Sequence, residues 1–117
     1  MKKMMAVYDA DTRYAERLSD YVNRKEKGVF TAQAFTSKEK LAEYAKKHEI
    51  DVLLSGERTD SGDISEIPSA QKIYMSEETE KQMDSGKEIY KFQSGDDIIR
   101  EVMAVYSETP MIRLDWS

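Results

Sequence analysis

The chain begins with a short apolar run that ends in acidic residues and passes directly into a helical pattern. Residues 2–11 read KKMMAVYDAD, so five apolar residues are followed at once by Asp9 and Asp11. Such a run is too short for a buried helix and is typical of a central strand covered on both faces. The Asp11 carboxylate can accept the free N–H groups of a first helical turn, which predicts a helix cap. Many α/β domains open in this way and carry their functional groups at the carboxyl ends of parallel strands.

Length and composition limit the classes of protein to which the chain can belong. Its 117 residues are enough for one domain with a buried core. The net charge of −5 argues against nucleic acid as a partner, because phosphate binding needs a basic face. The absence of cysteine excludes disulfides and thiol chemistry and fits a reducing cytosol. No apolar run approaches the roughly 20 residues of a membrane span. We therefore expect a soluble cytoplasmic domain.

The rest of the chain alternates between strand and helix patterns. After the first strand, further strands are expected at residues 29–35, 50–54, 72–76 and 89–92. Three well-formed helices are expected at about residues 12–25, from a capping box at Thr36 to about residue 48, and from a cap at Ser94 onwards. Five strands alternating with helices predict an α/β domain with a flavodoxin-like, doubly wound parallel sheet of order 2-1-3-4-5.

Two of the connecting segments are poor in apolar residues. Residues 58–69 are polar apart from Ile64 and Ile67, and residues 77–87 offer only Met83 as a core contact. A helix needs an apolar face to pack against the sheet, so we expect the third and fourth helices to be eroded.

Four phrases resemble the receiver domain of two-component response regulators over about residues 3–107. These are AVYDADTRYAERL, IDVLLSGE, KIYMS and IYKFQS. The resemblance implies an acid cluster that holds magnesium after strand one, a phosphoaccepting aspartate after strand three, a serine or threonine after strand four, and a lysine in strand five. Asp9 matches the first acid of the cluster. Ala10 stands where the second acid is expected, and Asp11 falls one position later.

The phosphoacceptor is also missing. Its position falls at Gly56, or at Ser55 if the strand is one residue shorter, and neither residue can form an acyl phosphate. Ser76 and Lys91 match the switch serine and the strand-five lysine. Because magnesium requires oxygen ligands in a near-octahedral array, we expect no metal and no other cofactor. We expect Asp9 to pair with Lys91 across the top of the sheet instead.

Longer phrases are similar to a more specific family, the atypical receiver domain that precedes the ATPase in TadZ proteins. These phrases are YDADTRYAERLSDYVNRKE, AFTSKEKL, IDVLLSGE and YKFQSGDDIIREVMAVYSE. TadZ proteins are ParA/MinD-related ATPases, with CpaE among their relatives, that place and assemble the Tad pilus. The resemblance implies a domain for localisation and partner contact.

The extent of the parent protein is open at this point. The 117 residues contain no Gly-rich loop followed by Lys and Ser or Thr, so the chain is either an excised N-terminal domain or a standalone relative. We expect a receiver-like domain at residues 1–108. Residues 109–117 are then a tail or the start of a linker near Pro110.

Two function classes remain from the sequence. The favoured one is a non-enzymatic, phosphorylation-independent domain that contacts a protein partner, with a second copy of the chain among the candidates, and is recruited to a cell pole or pilus assembly site. The rival is a working receiver or small-ligand sensor that uses a cleft near Asp9, Ser55, Ser76 and Lys91.

A possible interface lies on the last helix and the strand before it. Ile98, Ile99 and Val102 are expected to face the sheet. Met103 and Tyr106 lie at the edge of that face and either close the core or project to a neighbour. The thin segment before strand five is expected to leave apolar surface near Tyr90 and Tyr106, and exposed apolar surface often marks an interface.

Overall fold

Five parallel strands form one sheet with helices on both faces. The computed structural model describes residues 2–25, 28–60, 62–80 and 87–107. The strands are β1 (Lys3–Tyr8), β2 (Phe30–Phe35), β3 (Val52–Ser55), β4 (Gln71–Ser76) and β5 (Lys87–Tyr90). The helices are α1 (Thr12–Asn23), α2 (Lys38–Lys47), α3 (Gly62–Ser65) and α4 (Gly95–Ser107). The strand order is β2-β1-β3-β4-β5, which confirms the predicted flavodoxin-like receiver fold.

The two most apolar strands occupy the centre of the sheet. Met5, Ala6 and Val7 of β1 are fully buried, and so are residues 52–54 of β3. Continuous apolarity is what a strand needs when helices cover both of its faces. In the sheet register Tyr8 lies beside Ser55, so β1 and β3 end at the same level. The segments that follow these strands therefore emerge side by side.

A separate apolar core fills each face of the sheet. On one face α1 and α4 cover the sheet with Leu18, Val22, Ile98 and Val102, among others. On the other face α2, α3 and the segment after α3 contribute Leu41, Ile64 and Ile67. The burial of Ile98 and Val102 confirms the predicted inner face of the last helix.

The helix caps agree with the sequence prediction at two ends and differ at one. Asp11 caps α1, because its carboxylate accepts the Tyr14 N–H at 3.2 Å. Ser94 caps α4 by accepting the Asp97 N–H at 3.2 Å.

The predicted capping box at Thr36 is wrong. The cap of α2 is Ser37, whose backbone is extended and whose hydroxyl oxygen accepts the Lys40 N–H at 3.4 Å. The Ser37 hydroxyl also donates to Glu39 at 2.8 Å. Both Thr36 and Ser37 carry a hydroxyl that can cap a helix, and the sequence pattern placed the cap one residue too early.

The two connecting segments that are poor in apolar residues form little helix where the structure describes them. Helix α3 has only four residues, which confirms the erosion of the third helix. The fourth predicted helix falls largely on residues 81–86, outside the described residues, and the described residues 77–80 form bends. The predicted tail at 109–117 also lies outside the described residues. Strand β5 ends at Tyr90, so Lys91 follows the strand and does not lie within it as predicted.

The open edge of β2 is covered by a side chain from α1. The Asn23 amide donates to the Ala32 carbonyl oxygen at 3.0 Å, and its oxygen accepts the Ala32 N–H at 2.8 Å. Asn23 thus satisfies backbone groups that an added strand would otherwise contact, which protects this edge from pairing.

Candidate functional site

The carboxyl edge of the sheet brings together the residues that the receiver resemblance singled out. Asp9 follows β1, Gly56 follows β3 and Lys91 follows β5, while Ser55 and Ser76 are the last residues of their strands. The Gly56 N–H donates to the Tyr8 carbonyl at 2.8 Å, and the Lys91 N–H donates to the Ser76 carbonyl at 2.7 Å. These backbone bonds hold the ends of four strands in one small region, which we call the degenerate receiver site.

A buried ion pair lies at the centre of this site. Lys91 Nζ lies 2.8 Å from Asp9 Oδ2, and the two side chains are 7% and 5% exposed. The other carboxylate oxygen, Oδ1, accepts the Asp11 N–H at 2.8 Å. Oδ2 has no hydrogen bond of good geometry among the described residues, so the ammonium acts on it mainly as a charge. The pair that the sequence predicted is present, and each partner compensates the other's buried charge.

Aromatic rings enclose the Lys91 side chain. Its Nζ lies 4.6 Å from the centre of the Tyr14 ring and 5.5 Å from that of Phe92. The Tyr14 hydroxyl donates to the Lys91 carbonyl at 2.8 Å. Burial, with a smaller contribution from the Asp9 charge, raises the pKa of Tyr14, so its hydroxyl stays a donor. On the open side the exposed Glu77 carboxylate lies 3.8 Å from Lys91 Nζ.

Gly56 leaves the space that the Asp9 carboxylate occupies. A Cβ on Gly56 would lie 2.4 Å from Asp9 Oδ2 and 2.9 Å from Asp9 Cγ. Neither distance is compatible with van der Waals contact, so no side chain fits at position 56 while Asp9 faces Lys91. Strand β3 ends at Ser55, so Gly56 is the first residue beyond it.

Both serine hydroxyls of the site bond to turns of their own chain segment. Ser55 Oγ lies 2.7 Å from the Glu57 carbonyl oxygen and accepts the Glu57 N–H at 3.0 Å. Ser76 Oγ accepts the Glu78 N–H at 3.0 Å. Both serines are fully buried. Such local side-chain bonds stabilise the turns after β3 and β4.

The residues of this site do not fit a magnesium ion. Ala10 has no ligand atom, and the Asp11 carboxylate is directed to the first turn of α1. Asp9 remains as a carboxylate ligand, and the Lys91 ammonium already neutralises it. Across the described ranges, no group of three His, Cys, Asp or Glu residues is arranged to hold a metal. A hard divalent cation prefers several oxygen ligands, which this arrangement does not supply.

The three side chains considered as an interface contact different parts of the domain. Tyr90 meets the Phe92 ring edge to face at 6.0 Å, beyond the end of β5. Tyr106 meets the Phe30 ring edge to face at 5.8 Å, on β2 at the opposite edge of the sheet. Met103 and Tyr106 are partly buried against the α1–α4 core. Their role as an interface stays a prediction.

Two contributors to the site were not recognised from the sequence. Tyr14 has helical spacing with the core residues of α1, so the pattern gives no sign that its ring also covers Lys91. Phe92 is 56% exposed beside the site. Its signal in the sequence is the aromatic residue directly after Lys91, where receivers commonly have proline.

Comparison with known proteins identifies the family. In the part of the chain that the structure describes, no helix has the length and apolarity needed to cross a membrane. The comparison with curated proteins found no match. A family model described as "TadZ-like, receiver domain" matches residues 1–107 of the 117. The match covers most of the chain and agrees with the observed sheet order, so the chain belongs to the family of TadZ-like receiver domains.

Proposed function

We propose that this domain is a non-catalytic, phosphorylation-independent receiver-like domain that contacts a protein partner and serves localisation in Tad pilus assembly. In its parent protein it would precede a ParA/MinD-related ATPase domain, act in the cytoplasm and be recruited to a cell pole or pilus assembly site. The observation that carries the proposal is the buried Asp9–Lys91 ion pair with Gly56 against it. Family membership supports the link to the Tad system.

The chemistry of phosphate uptake is missing from the site. A receiver accepts phosphate on a carboxylate oxygen, and position 56 has no side chain. The neighbouring hydroxyl, on Ser55, is fully buried and bonded to the turn at Glu57. Among the described residues Asp9 is the buried carboxylate of the site, and Lys91 and the Asp11 N–H already contact its two oxygens.

The ion pair also supports a domain that keeps one conformation and does not switch between two. In a receiver, a change of charge at the site moves the side chains of the strand-four serine or threonine and of the strand-five lysine. Here Lys91 lies against the Asp9 carboxylate, and the Ser76 oxygen accepts a bond from its own turn. A surface held in one state suits a docking domain whose partner contact does not depend on phosphorylation.

Intact-mass measurement tests the proposal. The domain is incubated with acetyl phosphate and magnesium, beside an active receiver as a positive control. We expect the control to gain a phosphoryl group and this chain to keep its mass. A phosphoryl adduct that hydroxylamine removes would identify an acyl phosphate and would contradict the proposal.

A further inference from the structure

A shallow groove lies between α1 and the turn that joins β5 to α4. Its wider part, about 490 Å³, is lined by Arg13, Arg17 and Phe92, among others. A narrower part of about 220 Å³ continues along α1 to Tyr21. Arg17 lines both parts, so they form one surface, which we call the α1 groove. It lies directly above the buried ion pair, because Lys91 and Tyr14 form part of its floor.

The apolar element of the α1 groove is Phe92. Its side chain is 56% exposed. Among the described residues, the next most exposed large apolar side chain is that of Val29, at 38%. The Phe92 ring meets the Tyr90 ring edge to face and lies 5.5 Å from Lys91 Nζ, so it has two neighbours in the domain while much of its surface faces solvent. An aromatic ring held in this way is suited to anchor an apolar side chain of a partner.

The charged element is a pair of arginines. Arg13 and Arg17 are four residues apart on α1, so they project from the same side of the helix. Both are exposed, and neither forms an ion pair within the described ranges.

Two other cations near this end of the domain have acidic partners. Lys25 pairs with Asp96 at 2.6 Å, and Arg100 pairs with Asp97 at 2.6 Å. Asp11 also lines the α1 groove, and its carboxylate accepts the Tyr14 N–H. Two exposed arginines against this one carboxylate leave a net positive charge beside the exposed Phe92 ring.

We infer that the α1 groove binds an acidic peptide segment of a protein partner, with carboxylates on Arg13 and Arg17 and an aromatic or leucine side chain on Phe92. Guanidinium groups bind carboxylates through paired hydrogen bonds, which fixes the orientation of such a segment. The inference rests on the proposed function, because it names the surface and the partner chemistry of the same docking domain.

A selection from a random peptide library displayed on phage tests the inference with a defined probe. We expect the selected peptides to carry Asp or Glu around a leucine or an aromatic residue. Selected peptides with no excess of acidic residues, or with an excess of basic ones, would overturn the inference.

Variants of the groove then test where the selected peptides bind. Fluorescence anisotropy should show binding about tenfold weaker, or more, for Arg13→Glu/Arg17→Glu and for Phe92→Ser. Arg17→Glu alone is compared with Arg24→Glu, which makes the same charge change near the end of the same helix, outside the groove. Equal effects of these two single variants would overturn the inference. If the charge-reversed pair does not fold, Arg13→Gln/Arg17→Gln and Phe92→Ser decide the question.

The same assay separates this inference from the proposed function. Binding that requires acetyl phosphate and magnesium would contradict the phosphorylation-independent function, even if it needs the two arginines. Binding that is unchanged in the arginine and Phe92 variants would contradict the α1 groove as the binding surface, but would not contradict the proposed function.

Discussion

Gly56 lies so close to Asp9 that a Cβ on the glycine would stand 2.4 Å from the aspartate Oδ2. The same oxygen lies 2.8 Å from Lys91 Nζ. The absence of a side chain at position 56 and the buried ion pair are therefore parts of one arrangement. The carboxylate of Asp9 and the ammonium of Lys91 balance each other without a metal, and the glycine gives them room.

Adding a methyl group at position 56 should destabilise the domain. We expect Gly56→Ala to cost about 1–3 kcal/mol, because the new Cβ must displace a buried carboxylate that is held by two partners. The free energies of unfolding in urea are compared for the parent, Gly56→Ala, Asp9→Ala and the double variant. This double-mutant cycle isolates the contact between the new Cβ and the Asp9 carboxylate. The cost of Gly56→Ala should fall sharply in the Asp9→Ala background, and an equal cost in both backgrounds would refute the steric account.

Removing either partner of the ion pair should be costly. Lys91→Met leaves the buried Asp9 carboxylate without its cation, and Asp9→Asn leaves Lys91 with only the exposed Glu77 carboxylate at 3.8 Å. We expect each variant to lose about 3 kcal/mol of unfolding free energy. The double variant should lose less than the sum of the two. If both single variants unfolded at the parental urea concentration, the pair would contribute no more than an exposed one.

Stability should decline at high pH through Tyr8. Burial, together with its hydrogen bond to Glu57 and that carboxylate's charge, raises the pKa of Tyr8 from 10.0 to about 12. The folded state therefore keeps a proton that the unfolded state releases near pH 10, so this contribution is full below pH 10 and is lost as the pH rises through about 12. Urea unfolding across this range should show a steeper loss for the parent than for Tyr8→Phe. Parallel losses would exclude Tyr8 as a cause.

Self-association through α4 is a separate prediction. Tyr106 is half-buried on Phe30, so part of its ring remains available to a second copy of the chain. Sedimentation over a concentration series should show association in the parent and weaker association in Tyr106→Glu. The control is Ala104→Glu, which adds the same charge at an exposed position of α4. A parent that stays monomeric throughout would exclude this contact.

The sheet and the ion pair could be predicted because each follows from a local pattern combined with one topological rule. Continuous apolar runs identify β1 and β3 as central strands. Parallel strands end at a common edge, which places Asp9 and Lys91 at the same end of the sheet, and the receiver resemblance then suggested that they pair. The Asp11 cap was predictable because a cap depends on a side chain and the backbone of the next turn.

Other features depend on details of the backbone that no residue pattern records. The sequence contains Gly56, but the distance from its Cα to the Asp9 carboxylate is set by where β3 ends. The choice of Ser37 over Thr36 as the α2 cap follows from a difference of one residue in where the helix begins. The sequence placed Phe92 inside the last strand, whereas β5 ends at Tyr90 and the turn that follows leaves Phe92 exposed.

We propose that the degenerate receiver site is already filled by its own ion pair and takes up neither magnesium nor a phosphoryl group. Amide resonances of Asp9, Gly56 and Lys91, followed by NMR while magnesium and then beryllium fluoride are added, test this most directly, because beryllium fluoride imitates an acyl phosphate on an active receiver. We expect these resonances to stay in place at concentrations that saturate an active receiver. Saturable shifts centred on these three residues would contradict it.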